Sequence, residues 1–173
     1  MSVYILFHGA WHGSWCWDKI APFLEKVGHQ VQAPDLPGHG DDKTPIAEIS
    51  LKAYADRVCD ILDTQPEPVI LVGHSMGGVV VTQAAEYRPD KVKILIYVAA
   101  FLLKNGEFLL QYAEQDKDSM VLPNLIMAQD QSFATLKEEA VKEVFYGDCS
   151  DEDIEKAKSL LVPQAVAPLA TPV

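Results

Sequence analysis

The chain has 173 residues, 49% hydrophobic and 23% charged, a composition that fits one folded globular unit and excludes a fibrous or disordered chain. Its net charge of −11 argues against partners held through phosphate contacts, so neither nucleic acid nor an anionic membrane surface is expected. Cys16, Cys59 and Cys149 are far apart and form no C-x-x-C pair, and the chain shows neither a basic leader nor an apolar run approaching about 18 residues. Reduced thiols, a cytoplasmic setting and no membrane span are therefore expected.

Taken in order, residues 3–8 form an apolar first strand that ends in His8-Gly9. An aromatic loop, Trp11 to Trp17, leads into a helix over residues 18–27, which Gly28 ends. Residues 30–33 are a second strand. Residues 51–64 carry an amphipathic pattern, with Ser50 placed to cap the helix N-terminus. Residues 69–72, Val-Ile-Leu-Val, are the kind of run that is buried on both faces of a parallel sheet. A helix follows and stops at Pro89, and residues 94–99 are a fourth strand. Strands alternating with helices predict an α/β architecture with a parallel sheet.

Between the third strand and its helix lies Gly73-His74-Ser75-Met76-Gly77. This is the G-x-S-x-G pattern in the strand–turn–helix setting that gives it meaning. The turn strains the backbone of its central serine, and side chains at positions 73 and 77 would crowd it. The following helix N-terminus adds N–H groups and a partial positive charge beside Ser75. Ser75 is therefore the candidate nucleophile. A phosphate-binding loop is excluded, because G-x-x-x-x-G-K-[ST] is absent. The acidic run 148–155 reads as a solvated helix start, and neither a metal nor another cofactor is implied.

Four stretches, His8-Gly-Ala-Trp-His-Gly-Ser-Trp-Cys-Trp17, Ala33-Pro-Asp-Leu-Pro-Gly-His-Gly40, Gly73-His-Ser-Met-Gly-Gly78 and Tyr97-Val-Ala-Ala-Phe101, carry a resemblance that the closing residues 161–172 continue. The chain resembles the α/β-hydrolase branch that contains the salicylate-binding methyl esterases and hydroxynitrile lyases. The resemblance implies a parallel sheet in the order 2-1-3-4 with helices on both faces. Residues 1–100 would form the core, 101–158 a helical cap with helices over 107–115, 133–143 and 151–161, and 159–173 a segment returning towards further core. It implies hydrolysis of a small carboxylic ester through an acyl-serine, with backbone N–H groups of Ala10 and Met76 forming the oxyanion hole. Trp11, His12, Phe101, Phe108 and Tyr112 are candidate pocket residues, and Leu109, Met120, Leu125, Met127 and Phe133 are further apolar cap residues. A lyase that uses the same serine usually needs a cap lysine; Lys104 and Lys117 are the candidates, neither in a matching motif. A non-catalytic small-molecule-binding fragment is the third alternative.

In that family the triad acid and histidine follow two further strands, and neither strand is present here. The chain therefore reads as an N-terminal portion, weakly active or inactive alone. Of its five histidines, His74 should point away from Ser75, His8 should brace the oxyanion loop, His39 should brace the turn at residues 37–40, and His29 should lie at the surface. Only His12 is placed to visit the pocket. The fourth strand is apolar on both faces, so its outer edge is expected to be covered by a second copy, a complementing C-terminal fragment or the cap.

Overall fold

The computed structural model describes residues 1–173. Four parallel strands, β1 (Val3–Phe7), β2 (Gln30–Gln32), β3 (Val69–His74) and β4 (Val92–Val98), form a sheet in the order β2-β1-β3-β4, as the resemblance implies. Three helices accompany them: α1 (Ala21–Lys26), α2 (Leu51–Asp63) and α3 (Gly77–Tyr87). Ser50 caps α2, its Oγ accepting the Ala53 N–H at 3.0 Å. The helix expected over 18–27 is shorter, because a 3-10 turn over Ser14–Trp17 precedes it.

Register explains how the sheet divides its two faces. Ile5 pairs with Leu71, and Leu71 with Leu95; these residues join the larger core with Tyr54, Val58 and Leu62 of α2 and Val80 and Ala84 of α3. Leu6, Ile70 and Val72 point the other way, against Trp17 and Leu24. Fully burying a residue such as Leu71 contributes roughly 1.5–3 kcal/mol. β4 pairs with β3 alone, and on its second face Ile94 and Val98 stay 46% and 41% exposed.

The cap differs from the expected set of helices. It comprises α4 (Leu109–Ala113), β5 (Leu125–Met127), β6 (Phe133–Leu136), α5 (Val141–Phe145), α6 (Asp151–Leu160) and β7 (Gln164–Ala165). The helix expected over 133–143 is corrected: Phe133–Leu136 is the middle strand of an antiparallel sheet, β5-β6-β7, and helix begins only at Val141. The acidic run does start a helix, α6, with the Ser150 Oγ accepting the Asp153 N–H at 3.2 Å and carboxylates in the first turn. The last residues turn back onto the main body: after β7, α7 (Ala167–Ala170) packs against α2 and α4. The cap sheet is separate from the main sheet and leaves the outer edge of β4 unpaired. No helix is long and apolar enough to cross a membrane.

Candidate functional site

Ser75 stands between β3 and α3 with φ of +52°, a left-handed conformation that costs an L-residue about 1–2 kcal/mol. Its surroundings fix it there. The Ser75 N–H donates to the Val98 carbonyl at 3.4 Å, and the Ser75 carbonyl accepts from Gly78 N–H at 3.0 Å and Phe101 N–H at 3.2 Å. The glycines let three backbones meet. A Cβ at Gly73 would lie 2.5 Å from the Gly77 carbonyl oxygen, one at Gly77 would lie 2.7 Å from the His8 carbonyl oxygen, and one at Gly9 would lie 2.9 Å from Ser75 Cβ. Strand, helix and the loop after β1 are thus in backbone contact around the serine.

The amide N–H groups of Ala10 and Met76 donate to no group of the chain. Both residues are buried, and both line a cavity of about 170 Å³ that also touches Ser75. Apolar cap residues form most of its wall, among them Leu109, Leu110, Leu125 and Phe145, with Asp116 and Ser119 as polar members. A second cavity, about 370 Å³, also touches Ser75 and is lined by His12, Cys16, Trp17, His74, Val98 and Tyr146 among others. The serine therefore faces two spaces at once.

The histidines are mostly committed elsewhere. His8 is fully buried; its Nδ1 donates to the Gly9 carbonyl at 2.9 Å and its Nε2 accepts from Leu36 N–H at 3.2 Å. His39, also fully buried, donates from Nδ1 to the His12 carbonyl at 2.6 Å and accepts at Nε2 from the Tyr54 hydroxyl at 2.9 Å. His12 donates from Nδ1 to the Ala10 carbonyl at 2.8 Å, so its Nε2 accepts from the Tyr146 hydroxyl at 2.7 Å. Burial pushes His12 down to about 4 and holds His8 well below the usual histidine range, so both rings are neutral near pH 7. His29 packs on Tyr4, and His74, also lowered by burial, stands edge-on to Trp17. Burial also pushes the Cys16 thiol up to about 12, which keeps it protonated.

The structure gathers most of the residues singled out from the sequence. Ser75, Ala10, Met76, Trp11, Phe101 and Tyr112 share the smaller cavity, with Leu109 and Leu125. Trp11 and His12 also line the larger one. Phe108 lines neither: it is half-buried, in extended backbone just before α4. Met120 and Met127 are 40% and 47% exposed, and Phe133 pairs with Ala165 in the cap sheet. Phe145 and Tyr146, at the end of α5, carried no motif and were not singled out, yet both line the larger cavity.

A Gly-x-Ser-x-Gly turn at the C-terminal end of a central parallel strand, roofed by a separate cap, is the arrangement of the α/β-hydrolase class. The chain belongs to the alpha/beta hydrolase family, whose model matches residues 4–172. It is 34% identical over 178 residues to a pyrethroid hydrolase of Sphingobium wenxiniae, covering 97% of this chain and 63% of that protein. It is likewise 34% identical to salicylic acid-binding protein 2 of Nicotiana tabacum, covering 94% and 67%. A solved pyrethroid hydrolase from Sphingobium faniae superposes with a TM-score of 0.87 at 30% identity, over 99% of this chain and 71% of that one. The chain thus spans about two thirds of the length of these relatives.

Proposed function

We propose that this chain carries the nucleophile, oxyanion hole and acyl pocket of a serine hydrolase acting on small carboxylic esters. The observation that carries this is the pairing of a strained, cavity-facing Ser75 with two buried amide donors, Ala10 and Met76, that have no partner in the chain. Ser75 Oγ attacks the ester carbonyl carbon, and the π electrons move to the carbonyl oxygen, which the two N–H groups receive. Each such donor typically supplies about 2.7–4 kcal/mol of transition-state stabilisation. Collapse of the tetrahedral intermediate expels the alcohol oxygen, which takes up a proton, and leaves acyl-Ser75. Water then releases the carboxylic acid and restores the serine.

The smaller cavity suits the acyl group. Its volume of about 170 Å³ is near the roughly 150 Å³ of an apolar cavity that holds benzene, so a short-chain or single-ring acyl group fits. The proton of Ser75 needs an acceptor within about 2.6–3.2 Å. His8, His12 and His39 have both ring nitrogens engaged, His29 packs on Tyr4, and His74, beside the larger cavity, makes no hydrogen bond to Ser75; we assign that role to a histidine, oriented by an acid, in the share of the relatives' length that this chain does not match. Residues 1–173 alone then retain binding and oxyanion stabilisation but turn over far more slowly than a complete triad enzyme. Similarity to an Arabidopsis alpha-hydroxynitrile lyase, 40% identical over 102 residues, keeps lyase chemistry as the comparison, but Lys104 and Lys117 line neither cavity beside Ser75.

The test is labelling by an alkyl fluorophosphonate followed by peptide mass analysis. Covalent label on Ser75, slow because its proton acceptor lies outside residues 1–173 and lost in Ser75→Ala, is expected. Equal label in both proteins, or label elsewhere, rejects the assignment, and cyanide release from an aromatic cyanohydrin would favour the lyase instead.

A further inference from the structure

Trp11 is bound to the cap three times. Its backbone N–H donates to Gln164 Oε1 at 3.3 Å, its indole Nε1–H donates to the Ala134 carbonyl at 2.9 Å, and its own carbonyl accepts from Val162 N–H at 3.0 Å. Ala134 and Gln164 are register partners between β6 and β7, so these links converge on one rung of the cap sheet and on Val162, two residues before β7. Trp11 itself is buried and held at φ of +62°, a conformation costly for a bulky residue without such support.

Gln164 is fully buried and has every polar atom engaged. Beyond Trp11, its Nε2 donates to the Ala165 carbonyl at 2.9 Å and to the Tyr54 hydroxyl at 3.3 Å. Tyr54 donates onward to His39, and His39 holds the His12 carbonyl. His12 in turn holds the Ala10 carbonyl, and His8 holds the Gly9 carbonyl. Four successive carbonyls, from Gly9 to His12, are therefore fixed by side chains or by the cap. The peptide between Gly9 and Ala10 has its oxygen tied down and its N–H left open towards the cavity beside Ser75. Such buried, closed networks fix geometry, because each broken link strands a partner in low dielectric.

We infer that Gln164 and Trp11 are positioning residues: together they set the direction of the Ala10 N–H, so that the oxyanion hole is complete only when the cap sheet is docked on the loop after β1. This rests on the assignment of Ala10 as an oxyanion donor, and it adds that a cap residue far along the chain governs that donor.

The experiment labels the protein with ¹⁵N-alanine and ¹⁵N-methionine and follows the amide signals of Ala10 and Met76 in the parent, Gln164→Met and Gln164→Glu. Gln164→Glu keeps an oxygen for the Trp11 N–H, with at most one O–H in place of the two Nε2 donations; Gln164→Met removes the acceptor and both donors at similar volume. A single sharp Ala10 signal is expected in the parent and in Gln164→Glu. In Gln164→Met the Ala10 signal should split or broaden by exchange while that of Met76 stays in place. An unchanged Ala10 signal in Gln164→Met, or equal disturbance of Met76, overturns the inference. If Gln164→Met does not fold, Trp11→Phe, which deletes the indole link to Ala134 and leaves both backbone links of residue 11 in place while shrinking the ring packed on Phe145, is judged by the same signature.

Hydrolysis of p-nitrophenyl acetate separates this inference from the one beneath it. A protein with lactate in place of Ala10, made by ligation at Cys16, replaces that N–H by an ester oxygen and also weakens the Gly9 carbonyl as an acceptor for His8. A loss of about 100-fold in kcat supports the donor, and an unchanged kcat rejects Ala10 as an oxyanion donor while the amide signals still decide the positioning. With turnover present, Gln164→Met should lose about tenfold in kcat at unchanged KM. A loss in KM alone rejects the positioning role.

Discussion

Adding one methyl group at Gly77 tests how the site is assembled. A Cβ there would lie 2.7 Å from the His8 carbonyl oxygen and 2.8 Å from that of Phe7, about 0.7 and 0.6 Å inside ordinary contact. Both obstacles are backbone atoms at the end of β1, so neither can turn aside as a side chain would. Alanine is the better helix former by up to about 1 kcal/mol in a helix interior, and Gly77 is the first residue of α3, where that gain is smaller. Overpacking costs about 1–3 kcal/mol and should win. At this chain length 1 kcal/mol corresponds to roughly 2–4 °C, so Gly77→Ala should melt about 2–12 °C below the parent. Gly147→Ala is the control, because nothing lies within 4 Å of its new Cβ; less freedom in the unfolded chain should leave it level or stabilise it by about 0.4–1 kcal/mol. Melting followed by circular dichroism compares the three proteins. A Gly77→Ala melting point matching that of Gly147→Ala would falsify the claim that α3 and the end of β1 are in hard backbone contact.

Acid should destabilise the fold between about pH 6.5 and 4. His12 is pushed down to about 4 by burial, while an unfolded histidine titrates near 6.5. Between those values the unfolded chain binds more protons, so stability is retained above the unfolded value and falls as pH drops, by about 3 kcal/mol from His12 alone. His8 and His39, lowered in the same direction, steepen the loss. Urea midpoints that stay level from pH 7.5 to 4.5 would contradict this. Tyr54→Phe should cost about 1–3 kcal/mol in urea unfolding, because it leaves His39 Nε2 and one Gln164 N–H unpaired, whereas Tyr112→Phe, partly exposed, should cost under about 0.5 kcal/mol. Ile94→Lys should reduce concentration-dependent association in sedimentation velocity by placing a charge beside the unpaired edge of β4; association unaffected by the lysine would show that this edge is not the contact.

Local patterns account for what the sequence made legible. β3, the elbow and the start of α3 are encoded within a dozen neighbouring residues, and the Ser50 cap lies next to the helix it serves. The cap sheet was hidden for the opposite reason. β6 has only four residues, too few for a two-residue alternation to stand out, and it runs into helix-favouring Glu138 and Glu139. Its partners, β5 and β7, are two or three residues long and join it from separate stretches of chain. Gln164 was equally silent: a lone glutamine among prolines carries no sign that it will be buried against a tyrosine 110 positions earlier. The histidine partnerships around residues 8, 12 and 39 likewise depend on three loops meeting, which periodicity does not report.

The triple attachment of Trp11 restricts how this protein can be recombined. A chimaera that swaps residues 101–173 for the corresponding stretch of another hydrolase exchanges Ala134, which accepts the indole N–H, together with Gln164 and Val162, which hold the backbone of residue 11, while retaining Trp11 itself. Position 11 and that rung behave as one heritable module, so a transplanted roof needs its own residue 11 to travel with it.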